Sequence, residues 1–288
     1  MKKTCFATLS VGENYCSLAR LLAVDIAKFA PTIPLLTLTS HPDYFSDLSN
    51  VIAQKHSSVF RSDYDKYFLI ERALEQYEVC VCIDADMRLL DFWPTEEVWL
   101  PGINAKSCTT ILKHQISRAK SPSNAEDSKI TELRKIEKLA CKMELDLEQS
   151  NVRWIHEFLF VVVSDKGLEK SFLSHFKKTA LYCNLHNFSA GCGVAMGLAA
   201  SKAGFPVHHH EMQGVKFFDD RIEKVRISKK QANLEDSKHL FEELALHKHP
   251  KRTFVAQLFQ QITRKAKSIY LRLGAAIRAC HDFQFYYR

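Results

Sequence analysis

Two aspartates one residue apart, Asp84 and Asp86, follow an apolar run in the segment 79–90, VCVCIDADMRLL. Residues i and i+2 of an extended segment point the same way, so the pair could offer carboxylate oxygens to one cation. Oxygen donors of this kind suit Mg2+ or Mn2+. Carboxylates beside a buried strand are costly unless a cation or hydrogen-bond donors satisfy them. The plain alternative is a solvated turn after a buried strand.

The elements around the pair belong to one pattern. Residues 4–10 (TCFATLS) are rich in β-formers and precede Gly12, and 14–29 carries Leu18, Leu21, Leu22, Ile26 and Phe29 at helical spacing, with Asn14 as N-cap and Pro31 as a stop. A strand over 33–39, a helix over 65–77 and a strand ending at Ile83 follow. Alternation of strand and helix predicts an α/β domain with a mostly parallel sheet, in which ligands sit at the carboxyl ends of strands. Further on, 117–128 (SRAKSPSNAEDS) reads as a mobile surface loop, 130–147 as a charged amphipathic helix and 154–163 (WIHEFLFVVV) as a buried strand. Residues 167–176 and 191–203 read as helices.

At 288 residues the chain can bury a full core. The nine cysteines are scattered, odd in number and without a CxxC pair, which fits a reducing, cytoplasmic setting better than a disulfide framework. The opening apolar run is too short for a signal peptide, and no run approaches a membrane span. The net charge of +7 is uneven: nine Lys/Arg and one acid lie from His247 onward, leaving 31 basic and 32 acidic residues in 1–246. That argues against a nucleic-acid-binding body and for something that the tail touches. From 254 onward, Val255, Leu258, Phe259, Ile262, Ala266, Ile269, Tyr270, Leu273 and Ile277 fall on one broad face, with Arg264, Lys265, Lys267, Arg272 and Arg278 around it. Such a basic amphipathic helix either packs on the domain or docks peripherally on an anionic membrane surface, at about 1 kcal/mol per basic residue near the lipid.

With these elements in this order, the chain resembles the GT-A-type nucleotide-sugar glycosyltransferases over roughly residues 3–255. The resemblance rests on the opening FATLSVGENYCSLARLLA, the Lys66-bearing helix, the strand ending Ile83-Asp84-Ala85-Asp86, the segment Trp154-Ile-His156-Glu157 and the distal Leu246-His247-Lys248-His249-Pro-Lys251-Arg252. It implies a single GT-A-like domain over 1–253, a helical tail over 254–288, and metal-dependent transfer of a sugar from a UDP- or GDP-sugar to a glycan or lipid-linked acceptor. By the same resemblance Asp86 ligates Mn2+ or Mg2+ and Asp84 supports the metal and the ribose. Thr8, Ser10 and Tyr15 hold base and ribose, and Lys66 belongs to the nucleotide side. His247, or His249, would be a further metal ligand, with Lys251 on the diphosphate. Glu157 with His156 is the first catalytic candidate, as the general base that an inverting enzyme needs. Asp219 and Asp220 are the second, on a segment that could close the site. The Gly and Trp usual around the distal His are absent, and stereochemistry stays open. In the run His208-His209-His210 three consecutive side chains of a strand cannot converge on one ion, so a solvated or acceptor-facing turn is expected.

Two other enzyme classes share parts of the pattern. Phosphatases of the haloacid dehalogenase class use D-x-D with the first Asp as nucleophile, but in the first strand and with Thr or Val where this chain has Arg88. A nucleotidyltransferase would need a Gly-rich phosphate loop after the first strand. A third alternative is a membrane-associated binding protein without catalysis.

Overall fold

The computed structural model describes residues 3–94, 97–106, 108–119, 126–248 and 254–288. The strands are β1 (Thr4–Ser10), β2 (Leu35–Thr39), β3 (Val51–Lys55), β4 (Val79–Ile83), β5 (Arg88–Leu89), β6 (Gly102–Ala105), β7 (Leu159–Val163), β8 (Val207–His209) and β9 (Phe217–Phe218). The α-helices are α1 (Glu13–Phe29), α2 (Lys66–Leu74), α3 (Ile111–Ala119), α4 (Glu126–Lys142), α5 (Leu168–Leu185), α6 (Cys192–Ala203), α7 (Asp220–Ser228), α8 (Leu234–Lys248), α9 (Phe254–Ala279) and α10 (Phe283–Tyr287).

Seven strands form one sheet in the order β3-β2-β1-β4-β7-β6-β8. All neighbours are parallel except β7, which runs antiparallel to both β4 and β6. The α/β class and the mostly parallel sheet are those expected. Strands β1, β4 and β7 lie inside, covered on both faces, which is why they read as continuous apolar runs. One face packs on α2, α5 and α6 through Ile70, Phe172, Phe176 and Tyr182; the other packs on α1 through Phe6, Leu22, Ile26, Val81 and Val161. Gly12 caps α1 with φ +99°, a conformation that side chains rarely adopt, and Asn14 falls inside the helix rather than capping it.

The structure differs from the expectations in three further places. The expected loop over 117–128 is helix at both ends, as the end of α3 and the start of α4, and 120–125 lie outside the described residues. Of the expected strand over 154–163 only Leu159–Val163 pairs in the sheet. Residues 153–155 instead run against α6, where the Ile155 and Arg153 carbonyl oxygens lie 2.0 and 1.8 Å from where Cβ atoms of Gly193 and Gly197 would stand. The tail is neither free nor packed through its apolar stripe. Helix α9, the turn after it and α10 dock on the body through Leu271, Ala275, Ala279 and Tyr286, with Asn184 donating to the Leu271 carbonyl at 3.4 Å and Lys178 pairing with Asp282 at 2.8 Å. Ile262, Ile269, Tyr270, Leu273 and Ile277 all face outward and are each more than half exposed.

Candidate functional site

The apolar strand β4 delivers Asp84 and Asp86 at its carboxyl end, inside the sheet. Asp84 N–H donates to the Phe158 carbonyl at 2.9 Å, and Met87 N–H closes a turn onto the Asp84 carbonyl at 3.1 Å. The pair is therefore presented by a tight turn, not by extended backbone as expected. Ala85, buried against Cys16, Ala19 and Phe45, anchors that turn. Both aspartates line one hollow of about 290 Å³, together with Tyr15, Lys66, Arg221 and Lys267. A larger cavity of about 610 Å³ lies at the opposite end of the strands among Tyr77, Trp93 and Trp99, and among the described residues has no pair of converging carboxylates.

Each aspartate has its own cations. The Lys66 ammonium, from the first residue of α2, donates to Asp84 Oδ1 at 2.7 Å, and Arg221 Nη2 approaches Asp84 Oδ2 at 3.3 Å. Burial pushes the Asp84 carboxyl up to about 6, against the pull of Lys66. Burial also weakens the Lys66 charge, but the Asp84 carboxylate overrides it and holds that ammonium well above its ordinary range. Asp86 pairs with Lys248 at 2.7 Å, and the same ammonium reaches Asp220 Oδ1 at 2.8 Å. Burial raises the Asp220 carboxyl, yet hydrogen bonds from Lys248 and Lys224 outweigh it and hold it below the usual range.

A second hollow, about 330 Å³, adjoins the first across Arg221, which lines both. Its walls include His114, Trp154, His156, Glu157, Gly191 and Asp219. Glu157 Oε2 accepts the Gly193 N–H at 2.8 Å, and Gly191 (φ +78°) leaves room for the carboxylate: a Cβ there would stand 2.8 Å from Oε1. Lys66 joins the two hollows, since its ammonium also donates to the Glu157 carbonyl.

Several expected residues fall elsewhere. Thr8 and Ser10 are fully buried in the sheet, where the Ser10 hydroxyl pairs with Thr37 at 2.8 Å, while their neighbours Leu9 and Val11 line the hollow. Alternation along β1 is the reason: the hollow sees the other face of the strand. His247 borders a separate surface depression with Arg20 and Tyr44. Successive helical residues diverge by about 100°, so the end of α8 turns Lys248, not His247, toward Asp86. Asp219 Oδ1 caps α7, accepting the N–H groups of Arg221 and Ile222 at 2.9 and 3.0 Å, so its carboxylate is held in a helix cap. Asp220 belongs to the Lys248 pair and lies beside the first hollow rather than next to Glu157. Arg153, near Glu157 in the sequence, donates to the Ser150 carbonyl at 3.2 Å. His249 and Lys251 lie outside the described residues. The three rings of 208–210 diverge, to the Pro101 carbonyl, Glu211 and Glu97. Arg221, Lys248 and Lys267 were not singled out in the sequence; each is one surface cation among many until the fold brings it to the aspartates.

His156 packs edge-on to Phe158 at 4.0 Å, and burial pushes its pKa down from 6.5 to about 4. Between those values the unfolded chain binds a proton that the folded chain does not, so stability falls as pH drops through the window. The wild type is expected to lose about 2 kcal/mol of unfolding free energy between pH 7 and pH 5 from this ring, and His156→Gln to lack that component. Urea unfolding at the two pH values checks it; equal pH slopes in the two proteins would refute the assignment.

No protein-family model matches the chain, and no curated protein matches it. Among solved structures, it is similar to the apo structure of the WbbM bifunctional glycosyltransferase, at 11% identity and a TM-score of 0.45. The match covers 80% of this chain and 45% of that one, so the chain spans less than half the length of this neighbour.

Proposed function

We propose that this chain is a glycosyltransferase that moves a sugar from a UDP- or GDP-sugar to a glycan or lipid-linked acceptor. The observation that carries the reading is the aspartate turn at the carboxyl end of an inner strand, in a polar hollow that Lys66 and Arg221 join to a second hollow containing Glu157. In this reading the first hollow takes the nucleoside diphosphate and the second takes the acceptor.

The donor set suits Mn2+ or Mg2+. Oxygens of Asp86 and Asp220 already converge within 2.8 Å of one ammonium, and ions of this kind bind through one or two carboxylates plus phosphate and water. Among the described residues no group of three or more His, Cys, Asp or Glu converges as a metal site; in this reading Asp86 and Asp220 would hold the ion, with Asp84 nearby and the rest of its shell supplied by phosphate and water. When bound, it would neutralise charge developing on the departing diphosphate. Lys66 and Arg221 fix the Asp84 carboxylate and bring positive charge to the same place. The half-exposed ring of Tyr15 offers a face for the base. Glu157, held by the Gly193 N–H, is placed to accept a proton from an acceptor hydroxyl. Binding and Mn2+-supported hydrolysis across a panel of UDP- and GDP-sugars test the reading. If no sugar nucleotide binds with Mn2+ present, the reading fails.

The outward stripe of α9, with Lys265 and Arg272 at its margins, supports peripheral docking on an anionic bilayer at the cytoplasmic face; no described helix is long and apolar enough to cross one. All nine cysteines are free, in keeping with that compartment. Removing the whole tail would also strip Leu271, Ala275 and Tyr286 from the body, so point changes are the cleaner probe. Ile269→Asp with Leu273→Asp is expected to weaken sedimentation with phosphatidylserine-containing vesicles by about 100-fold or more, since burying each apolar side chain is worth about 1.5–3 kcal/mol. Equal binding by the variant and the wild type would remove the membrane reading.

A further inference from the structure

The contact between Lys248 and Asp86 has a consequence for how any cation enters the site. Lys248 ends α8, a helix that is fastened to the body where Leu240 and Leu244 bury against Leu18 and Phe218. The Asn14 amide donates to the Lys248 carbonyl at 3.2 Å and fixes the last turn beside the aspartate turn. From there the ammonium sits 2.7 Å from Asp86 Oδ2 and 2.8 Å from Asp220 Oδ1. The two carboxylates come from separate elements, the β4–β5 turn and the first residue of α7. The short antiparallel pair β5–β9, with Arg88 opposite Phe218, brings those elements together. The Lys248 side chain is 17% exposed and each of the two carboxylates 15%. Two carboxylates this near one point and this far from water repel each other unless a cation lies between them. Here the chain supplies that cation itself.

Resting on the reading of Asp86 as a residue that binds a divalent cation, we propose that the Lys248 ammonium is a built-in counter-ion, which Mn2+ or Mg2+ must displace to reach Asp86 and Asp220. An ammonium and a divalent ion seek the same oxygens and cannot share that position. The apo site is therefore neutralised and closed to loose metal binding. Entry of the metal frees Lys248 and loosens the end of α8. The freed charge, beside Asp86 at the margin of the first hollow, is then available to an anionic ligand there, so metal and diphosphate favour each other's binding.

The test is titration of the full chain with Mn2+ alone, read by the electron paramagnetic resonance signal of free Mn2+. Lys248→Met is expected to bind Mn2+ about tenfold more tightly than the wild type, or ~1.4 kcal/mol. Lys248→Arg, which keeps the charge, should stay near the wild type. Lys248→Met binding no more tightly than wild type, while Asp86→Asn loses the ion, would overturn the counter-ion proposal and leave the metal reading standing. Binding by the Lys248→Met/Asp86→Asn double variant as tight as by Lys248→Met would overturn both. A second measurement needs no substitution: Mn2+ should speed amide hydrogen exchange in the last turn of α8, residues 244–248, in the wild type. Unchanged or slower exchange there at saturating Mn2+ would also overturn the proposal.

Discussion

Asp86→Ala is expected to lower Mn2+-supported turnover of the accepted sugar nucleotide by about 10²–10³-fold, the loss typical when one group that stabilises developing charge is removed. The same change should leave the fold nearly untouched. Asp86 sits at the third position of a turn whose anchor is the buried Ala85, and among the described residues its carboxylate pairs with the Lys248 ammonium. Its removal leaves the Lys248 ammonium paired with Asp220 at 2.8 Å, so no buried charge is stranded and the unfolding midpoint should move by no more than a few degrees. A control at Asp91, an exposed carboxylate paired with Lys216 at 2.6 Å and remote from the hollow, should retain full turnover as Asp91→Ala. Turnover is measured as release of nucleoside diphosphate, with circular dichroism confirming the fold. If Asp86→Ala turns over at the wild-type rate, the role given to the aspartate turn is wrong.

The place of the aspartate turn was legible because β4 is an inner strand. Val79–Ile83 is buried throughout, so its residues spell an unbroken apolar run, and the polarity change at Asp84 marks where the strand leaves the sheet. The helices α1 and α2 were legible for a related reason, an apolar stripe at helical spacing. What could not be read were features decided by tertiary pairing. The two-residue strands β5 and β9 carry too few residues for a pattern, yet their pairing sets Asp220 near Asp86. Thr8 and Ser10 differ from Leu9 and Val11 only in which face of β1 meets the hollow, and the face follows from the sheet's packing on both sides. At the end of α8 the local sequence offered His247, Lys248 and His249 in a row, and only the helix phase decides which of the described ones turns inward. The tail shows the same limit. Its apolar stripe was plain in the sequence, but small residues on another face, Ala275 and Ala279, make the contact with the body.

Lys66→Met is expected to be the most destabilising single change near the site. The Lys66 side chain is 6% exposed and the Asp84 side chain 20%, with 2.7 Å between their charged atoms. Removing the ammonium leaves a largely buried carboxylate with only Arg221 at 3.3 Å, whose side chain is mostly exposed, and takes a donor from the Glu157 carbonyl. Breaking a buried pair by deleting one partner costs about 3–5 kcal/mol, because the remaining charge has lost its compensation. If that is the cause, Asp84→Asn in the same chain should return about half of the loss, since a neutral amide needs no counter-charge. Urea unfolding of the two single variants and the double variant measures the coupling. Additive losses in the double variant would mean that Lys66 acts through packing alone. Coupling of more than about 1 kcal/mol would identify charge compensation as the force that holds α2 to the aspartate turn. The same ammonium holds the Glu157 backbone, so that result would also mean that the geometry between the two hollows is set from a residue that touches both.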